Sequence, residues 1–182
     1  MTNVDLNFRT IDSTLKSSLR GGEEIVIPPE MDELYEYWVS KRGKRFAPPV
    51  QGFLLNDLGK GVIDRSIMVR VIRPNIDFLF IHWGDERTQL FGKSYNSQLV
   101  GNVRPRKIAR KAKMEYFRIL TTRQPVFVET LVNVSSGLTV PYFALLLPLS
   151  EGGTLVDQII TLYVCPVDHD EIIEYYQSKT HG

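Results

Sequence analysis

The sequence predicts a single α+β domain, an antiparallel sheet of five strands with helices grouped on one face and flanking helices at the N- and C-terminal ends. Two segments, residues 30–41 and 106–122, repeat their apolar residues at helical spacing. Five other runs have strand length and are rich in β-branched and aromatic residues. Two of these runs precede the long helix and three follow it, an order that favours antiparallel hairpins over alternating parallel units.

Length and charge limit the class of protein. The 182 residues suit one domain, and the single cysteine, Cys165, excludes an internal disulfide and favours a reducing compartment. No run approaches the roughly 18 apolar residues of a membrane span, and the N-terminus lacks a signal-peptide core. We therefore expect a cytoplasmic protein without membrane insertion. The net charge of +1 conceals a basic cluster, because residues 104–123 hold eight bases and one acid.

Three parts are predicted along the chain: a leader or arm at residues 1–29, the domain at residues 30–167, and a C-terminal helix or tail at residues 168–182. The arm carries few large apolar residues and is interrupted by Gly21-Gly22 and Pro28-Pro29. The tail contains isoleucines and tyrosines among acidic residues, which predicts a short helix.

The first predicted helix covers residues 30–41, where four apolar side chains recur on one helical face: Met31, Leu34, Tyr35 and Trp38. Arg42-Gly43 ends this helix. Residues 44–61 contain two prolines and three glycines, which predicts an irregular connection with one helical turn near residues 53–58.

A hairpin and then a long helix follow. Residues 67–72 alternate in polarity and residues 78–81 continue as a second strand after a Pro74-Asn75 turn, so the two strands should pair antiparallel. Glycines punctuate the next segment, where short helices are predicted at residues 86–91 and 97–100. The helix at 106–122 has its apolar residues in one stripe and its bases on the remaining arc.

Three strands complete the sheet, at residues 125–134, 138–149 and 155–164. Short polar or glycine-containing segments separate them, at residues 135–137 and 151–153. Three β-rich strands joined by such short connections are typical of an antiparallel meander.

Several segments resemble the PAS-domain superfamily, and specifically a bacterial family of stand-alone PAS-type domains. The resemblance lies in Leu34-Tyr35-Glu36-Tyr37-Trp38 of the first helix, in the Gly84 to Gly92 segment, and in the strand end Leu146-Leu147-Pro148-Leu149-Ser150. It covers about residues 31–165. The resemblance implies a PAS-like fold that senses small molecules or mediates protein contacts, dimerises, and passes a signal through flanking helices.

No known catalytic motif occurs in the chain, so we predict no catalytic residues and no enzymatic activity. There is no Gly-x-Ser-x-Gly elbow, no His-Glu-x-x-His and no kinase signature, and Gly59-Lys60-Gly61 lacks the frame of a phosphate loop. Metal ligands are not predicted either, because the histidines and the one cysteine do not cluster. An enzyme of unrecognised type on this scaffold stays open as an alternative.

A ligand-binding cleft between sheet and helices is one functional hypothesis. His82 and Trp83 end the second strand, where only one of the two neighbours can face the cleft. Further apolar or aromatic candidates for its lining are Phe91, Tyr95, Tyr116 and Phe143. No cofactor is predicted, but this arrangement could bind a small molecule.

A protein-docking role in bacterial signalling is the favoured hypothesis. The long helix combines Arg110 and its neighbouring bases with Met114 and Phe117 on one face, which suits an acidic protein partner. Nucleic acid is disfavoured because the chain as a whole is not basic. We also expect a homodimer, with Leu34 and Trp38 of the first helix as contact residues.

Overall fold

The computed structural model describes residues 7–10, 28–133 and 139–165, with only the backbone described for residues 7–10, 130–133 and 139–140. Most of the predicted leader arm and the whole predicted C-terminal helix therefore lie outside the described residues. Four helices are described: α1 (Pro29–Arg42), α2 (Lys60–Arg65), α3 (Asp85–Phe91) and α4 (Arg106–Thr122). The strands are β1 (Asn7–Thr10), β2 (Ser66–Ile72), β3 (Asp77–Trp83), β4 (Val126–Asn133), β5 (Thr139–Leu149) and β6 (Gln158–Val164).

The predicted five-stranded antiparallel sheet is confirmed. Strands β2 to β6 lie in the order β4-β5-β6-β2-β3, and every neighbouring pair is antiparallel. After α1 and α2, the chain forms the β2–β3 hairpin at one edge of the sheet. It then crosses the sheet through α3 and α4 and forms the three-stranded meander β4-β5-β6. A sixth strand that the sequence did not predict, β1, pairs with the outer edge of β4. The arrangement is α+β and PAS-like.

The α4 side of the sheet is one of two apolar layers. Alternating residues of the strands face α4, and Val69, Phe80, Leu146 and Ile159 belong to this layer. From α4 itself, Ala109, Tyr116 and Ile119 are buried against them. The helical stripe predicted from the sequence therefore packs on the sheet.

The α1 side is the other layer, and the first helix fills it with the four side chains that the spacing predicted. Leu145, Leu147 and Ile160 receive them from the sheet. The Trp38 indole N–H also donates a hydrogen bond to the Pro148 carbonyl at 2.8 Å. This bond satisfies a donor that would otherwise be buried without a partner.

Two connections differ from the prediction. Residues 44–61 contain 3₁₀ turns at Val50–Gly52 and Leu55–Asp57, but they lead into helix α2, which the Gly59-Lys60-Gly61 sequence concealed. Residues 97–99 do not form a helix. Instead Ser97 N–H donates to the Phe80 carbonyl and Phe80 N–H donates to the Gln98 carbonyl, each at 2.9 Å, so this segment covers the edge of β3.

Replacing Trp38 tests how strongly α1 stabilises the sheet. We expect Trp38→Ala to lower the free energy of unfolding by about 3–5 kcal/mol, because it removes a fully buried ring and leaves a cavity. Trp38→Phe keeps most of the packing and should cost less, with about 1 kcal/mol from the lost hydrogen bond alone. Urea denaturation measures both changes. Leu54→Ala, at an exposed position, is the control, and equal losses for Trp38→Ala and Leu54→Ala would contradict the prediction.

Candidate functional site

Aromatic rings from three elements meet on the α4 side near the end of β3. The Trp83 ring contacts Phe80 edge-on at 4.9 Å, Phe91 of α3 at 5.4 Å and Tyr95 at 5.1 Å, measured between ring centroids. Tyr95 also accepts a hydrogen bond from the Arg104 N–H through its phenol oxygen. We call Phe80, Trp83, Phe91 and Tyr95 the aromatic cluster.

Gly84 allows the chain to turn from β3 into α3, the helix that carries Phe91 of the aromatic cluster. A Cβ atom at this position would lie 2.1 Å from the Asp64 carbonyl oxygen, so only glycine fits between β3 and the end of α2. Gly92 ends α3 in the left-handed conformation with φ of 69°. The two glycines that the sequence analysis noted therefore delimit a seven-residue helix, and this helix directs Arg87 and Phe91 toward the sheet.

A buried arginine lies beside the aromatic cluster. Arg87 is only 6% exposed, and its guanidinium lies over the Tyr163 ring at 4.2 Å and the Phe91 ring at 5.0 Å. It also donates a hydrogen bond to the Tyr142 phenol. Tyr142 and Tyr163 stack on each other with centroids 5.7 Å apart. Aromatic faces and a phenol oxygen thus replace water around this charge, which would otherwise be costly to bury.

The inner face of α4 adds polar groups to the same side of the sheet. Glu115 is buried and forms an ion pair with Lys111 one turn earlier, at 2.8 Å. The Tyr116 phenol lies near Thr161 and Tyr163, but neither forms a well-aligned hydrogen bond with it. Within the described part of the chain, the side-chain atoms Trp83 Nε1, Tyr116 Oη and Thr161 Oγ1 are buried without a hydrogen-bond partner. Together with Arg87, Glu115, Tyr142 and Tyr163, these residues form what we call the polar floor of the α4 side.

Burial controls the ionisation of the three tyrosines. It raises the pKa of Tyr116, and the nearby Glu115 carboxylate raises it further. Burial likewise raises the pKa of Tyr163 well above its ordinary value. The pKa of Tyr142 is also raised by burial, although the Arg87 charge opposes this shift. All three are neutral hydrogen-bonding groups at physiological pH.

The structure brings four of the six predicted lining residues to the α4 side: Trp83, Phe91, Tyr95 and Tyr116. His82 points the other way, and one of its ring nitrogens is 3.1 Å from the Ile63 carbonyl of α2. Phe143 lies on the α1 side, where it stacks on Phe127. Both follow from strand alternation, since each is adjacent to a residue that faces α4, Trp83 or Tyr142.

Sequence reasoning missed Arg87, Tyr142, Tyr163 and Glu115. The signal that could have found Arg87 is its position four residues before Phe91, on the same face of a short helix. Tyr142 and Tyr163 lie in strands that are apolar on both faces, so no polarity pattern marks which residues face α4.

The outer face of α4 forms a second candidate surface. Met114 is 54% exposed and Phe117 is 44% exposed, and the neighbouring Arg110 is exposed as well. The three predicted partner contacts on this helix therefore share its solvent face. By contrast, Leu34 and Trp38 are buried against the sheet within the same chain, so their side chains do not face outward.

Solved PAS and LOV domains are similar to this chain. The PAS domain of BvgS from Bordetella pertussis aligns at 16% identity and a TM-score of 0.42, over 81% of this chain and 96% of that chain. A fungal LOV domain photoreceptor aligns at 17% identity and 0.40, over 72% and 88%. An RNA-binding light-oxygen-voltage receptor aligns at 11% identity and 0.46, over 98% of this chain but 44% of that one.

No protein-family model and no curated protein sequence matches the chain. The TM-scores of these solved structures are all below 0.5, so nothing further about this chain is concluded from them. The PAS-like assignment rests on the chain's own architecture, with the antiparallel sheet in the order β4-β5-β6-β2-β3 and α3 and α4 on one face. Across the described ranges, no helix is long and apolar enough to cross a membrane, and no three His, Cys, Asp or Glu side chains converge as metal ligands would.

The buried tyrosines predict a loss of stability at alkaline pH. Because their pKa values are raised in the folded state, these phenols bind protons that the unfolded chain releases above about pH 10. Stability is therefore retained below pH 10 and falls as the pH rises from there toward the folded pKa values. Each such tyrosine contributes a slope of about 1.4 kcal/mol per pH unit.

Tyr163→Phe removes one of these protons and should make the fall with pH shallower by about that amount. Urea denaturation at several pH values between 9 and 11 measures the slope. Parallel curves for the wild type and the variant would show that Tyr163 ionises equally in both states.

Proposed function

We propose that this PAS-like domain is a signalling adaptor that docks a partner protein on the solvent face of α4. The observation that supports the proposal is the exposure of Met114 and Phe117 in the middle of a helix whose other apolar residues pack on the sheet. Exposed apolar side chains surrounded by polar groups are typical of interaction sites. The proposal assigns no catalytic step to the chain and places it in the cytoplasm of a bacterium.

The charges around these two side chains support the same proposal. Lys113 forms an ion pair with Asp77 at 2.8 Å, and Lys111 pairs with Glu115. Arg106, Lys107 and Arg110 are exposed, and among the described residues none of them has an acidic partner. Three uncompensated bases next to two apolar side chains suit a partner that supplies acidic and apolar groups together.

Homodimerisation belongs to the proposal as well, but through other residues than those expected from the sequence. The side chains of Leu34 and Trp38 are buried against the sheet of their own chain. A dimer contact would need residues that face solvent, and the outward side of α1 carries such residues at Glu36 and Ser40.

The double variant Met114→Glu/Phe117→Glu tests the docking surface. We expect it to lose the partner that co-purifies with the wild-type protein from its native cells, because carboxylates replace the apolar centre of the surface. The folded state should persist, since both side chains are already exposed. Leu54→Glu, which places the same charge at another exposed apolar position, is the matched control.

An unchanged set of co-purifying proteins with the double variant would refute the α4 surface as the docking site. Circular dichroism and thermal melts of all three proteins show that any loss of partner is not a loss of fold.

A second candidate function, binding of a small molecule on the α4 side, is favoured by one specific observation. Trp83 Nε1, Tyr116 Oη and Thr161 Oγ1 are buried without hydrogen-bond partners in the described part of the protein. Each such group costs about 1–3 kcal/mol when left unsatisfied. A ligand that offers hydrogen-bonding atoms to these groups and a planar face to the aromatic cluster would offset that cost.

Thermal melts with a metabolite library test this candidate. A ligand at 100 times its dissociation constant should raise the melting temperature by about 5 °C or more. Trp83→Phe keeps an aromatic ring but removes the indole N–H, so the shift should shrink in this variant. If native mass spectrometry finds only the bare chain mass and no metabolite moves the melting temperature, small-molecule binding is excluded.

A further inference from the structure

We infer that the segment docked on α4 is an amphipathic α-helix with acidic residues at one end. The inference rests on the proposed adaptor function and names the class of partner for that surface. It excludes a second copy of α4 and a lipid surface as the occupant.

Five of the six exposed residues of α4, all but Arg106, have the spacing of a helix-packing seam. They are Lys107, Arg110, Met114, Phe117 and Thr121, separated by three, four, three and four residues. Spacing of this kind places side chains along one line of a helix, where they insert between the side chains of a second helix. The line from residue 107 to residue 121 is about 21 Å long, enough to contact four turns of a partner helix.

The centre of the seam is preorganised for packing. The Phe117 ring contacts the buried Phe78 ring edge-on, with centroids 5.4 Å apart, so one side of an exposed ring is already fixed. Met114 beside it is unbranched and can adapt to the shape of an apolar partner side chain. A fixed aromatic ring next to an adaptable side chain is well suited to receive one or two leucine-sized groups.

Charge is distributed unevenly along the seam. Arg106, Lys107 and Arg110 lie in the first two turns, and the first turn of α4 contains no acidic residue and no side-chain cap. The partial positive charge of the helix N-terminus adds to these bases. The second half of the seam, from Met114 to Thr121, is apolar or neutral. The partner helix must therefore be acidic where it contacts residues 106–110 and apolar where it contacts residues 114–117.

A second copy of α4 does not meet this requirement. In a parallel pair, Lys107 and Arg110 would face the same residues of the other copy. In an antiparallel pair with Met114 against Phe117, Arg110 would face Thr121 and Lys107 would face Gln124. The parallel pair brings like charges together and the antiparallel pair leaves the bases opposite neutral residues, so neither supplies the acidic groups that residues 106–110 require.

A membrane surface fits less well than a protein helix. Helices that bind in the plane of a bilayer bury a broad apolar face among the acyl chains. The broad apolar face of α4 is already packed on the sheet, which leaves two exposed apolar side chains in 17 residues. Two side chains are enough for a helix-packing contact but form no broad face.

Designed peptides provide the test. The first is an 18-residue peptide with leucines at alternating three- and four-residue spacing and glutamates in its first half. The second has lysine in place of each glutamate, and the third has the composition of the first with leucines at every second position. Fluorescence anisotropy of the labelled peptides with the full chain measures dissociation constants at low and at physiological salt. We expect saturable binding of the first peptide alone, weakened by salt.

Two variants and two matched controls locate the peptide. Arg110→Glu and Phe117→Ala should each weaken binding by roughly tenfold or more, because one reverses a seam charge and the other removes the fixed ring. Lys60→Glu makes the same charge change on α2, and Leu54→Ala the same kind of truncation at another exposed position, so both should bind like the wild type.

The inference is overturned if the acidic and basic peptides bind equally, if none binds, or if anionic lipid vesicles bind in an Arg110-dependent way while the first peptide does not. It is also overturned if Arg110→Glu leaves the peptide affinity unchanged. If no peptide binds but Met114→Glu/Phe117→Glu still loses a partner from cells, the adaptor function stands and only the helical partner falls. If the first peptide binds but the double variant keeps every cellular partner, the adaptor function falls instead.

Discussion

The rest of the structure depends on one constraint, which is that the central strands β5 and β6 are buried on both faces. All seven residues of β6 are buried, and so is every residue of β5 from Tyr142 to Leu149. Strands of this kind need a helical cover on each side. Helix α1 supplies it on one side, where the Trp38 indole is hydrogen bonded to the Pro148 carbonyl, and α3 and α4 supply it on the other. The apolar side chains of these helices pack on the sheet. On α4, Met114 and Phe117 are the large exceptions.

The same burial explains why the α4 side holds polar groups that interact closely with one another. Arg87 and Glu115 could not lie beneath helices without compensation, and each has it, from aromatic faces and a phenol for Arg87 and from Lys111 for Glu115. Replacing such groups by apolar residues of similar volume often costs little stability. The polar floor is therefore poorly explained by stability alone, and this makes it the natural place to look for a ligand.

The sequence predicts the elements of this fold better than it predicts their faces. Helical spacing at Met31 and Trp38 and in α4 is a local property, so α1, α4 and the two groups of strands could be predicted, whereas α2 could not. The orientation of single strand residues could not. In strands that are apolar on both faces, alternation does not distinguish Tyr142 from Phe143. For His82 and Trp83, alternation requires that only one of them faces α4 but does not say which, and in the structure His82 lies against the Ile63 carbonyl of α2. The surroundings of Arg87 could not be predicted either, because Tyr142 and Tyr163 come from two strands distant in sequence. For the outer face of α4, by contrast, the helical wheel alone was sufficient.

The two proposed functions, partner docking and small-molecule binding, would be physically connected because one helix belongs to both surfaces. The buried Phe78 ring contacts Tyr116 of the polar floor at 5.0 Å and Phe117 of the seam at 5.4 Å. Tyr116 and Phe117 are consecutive residues, so a rotation or shift of α4 that moves one also moves the other. A group bound beneath the helix would change docking above it only if it bound more tightly to one position of α4 than to another. Packing against Phe78 provides the contact that would transmit such a preference between the two surfaces. The coupling free energy between the two sites cannot exceed that difference in binding free energy.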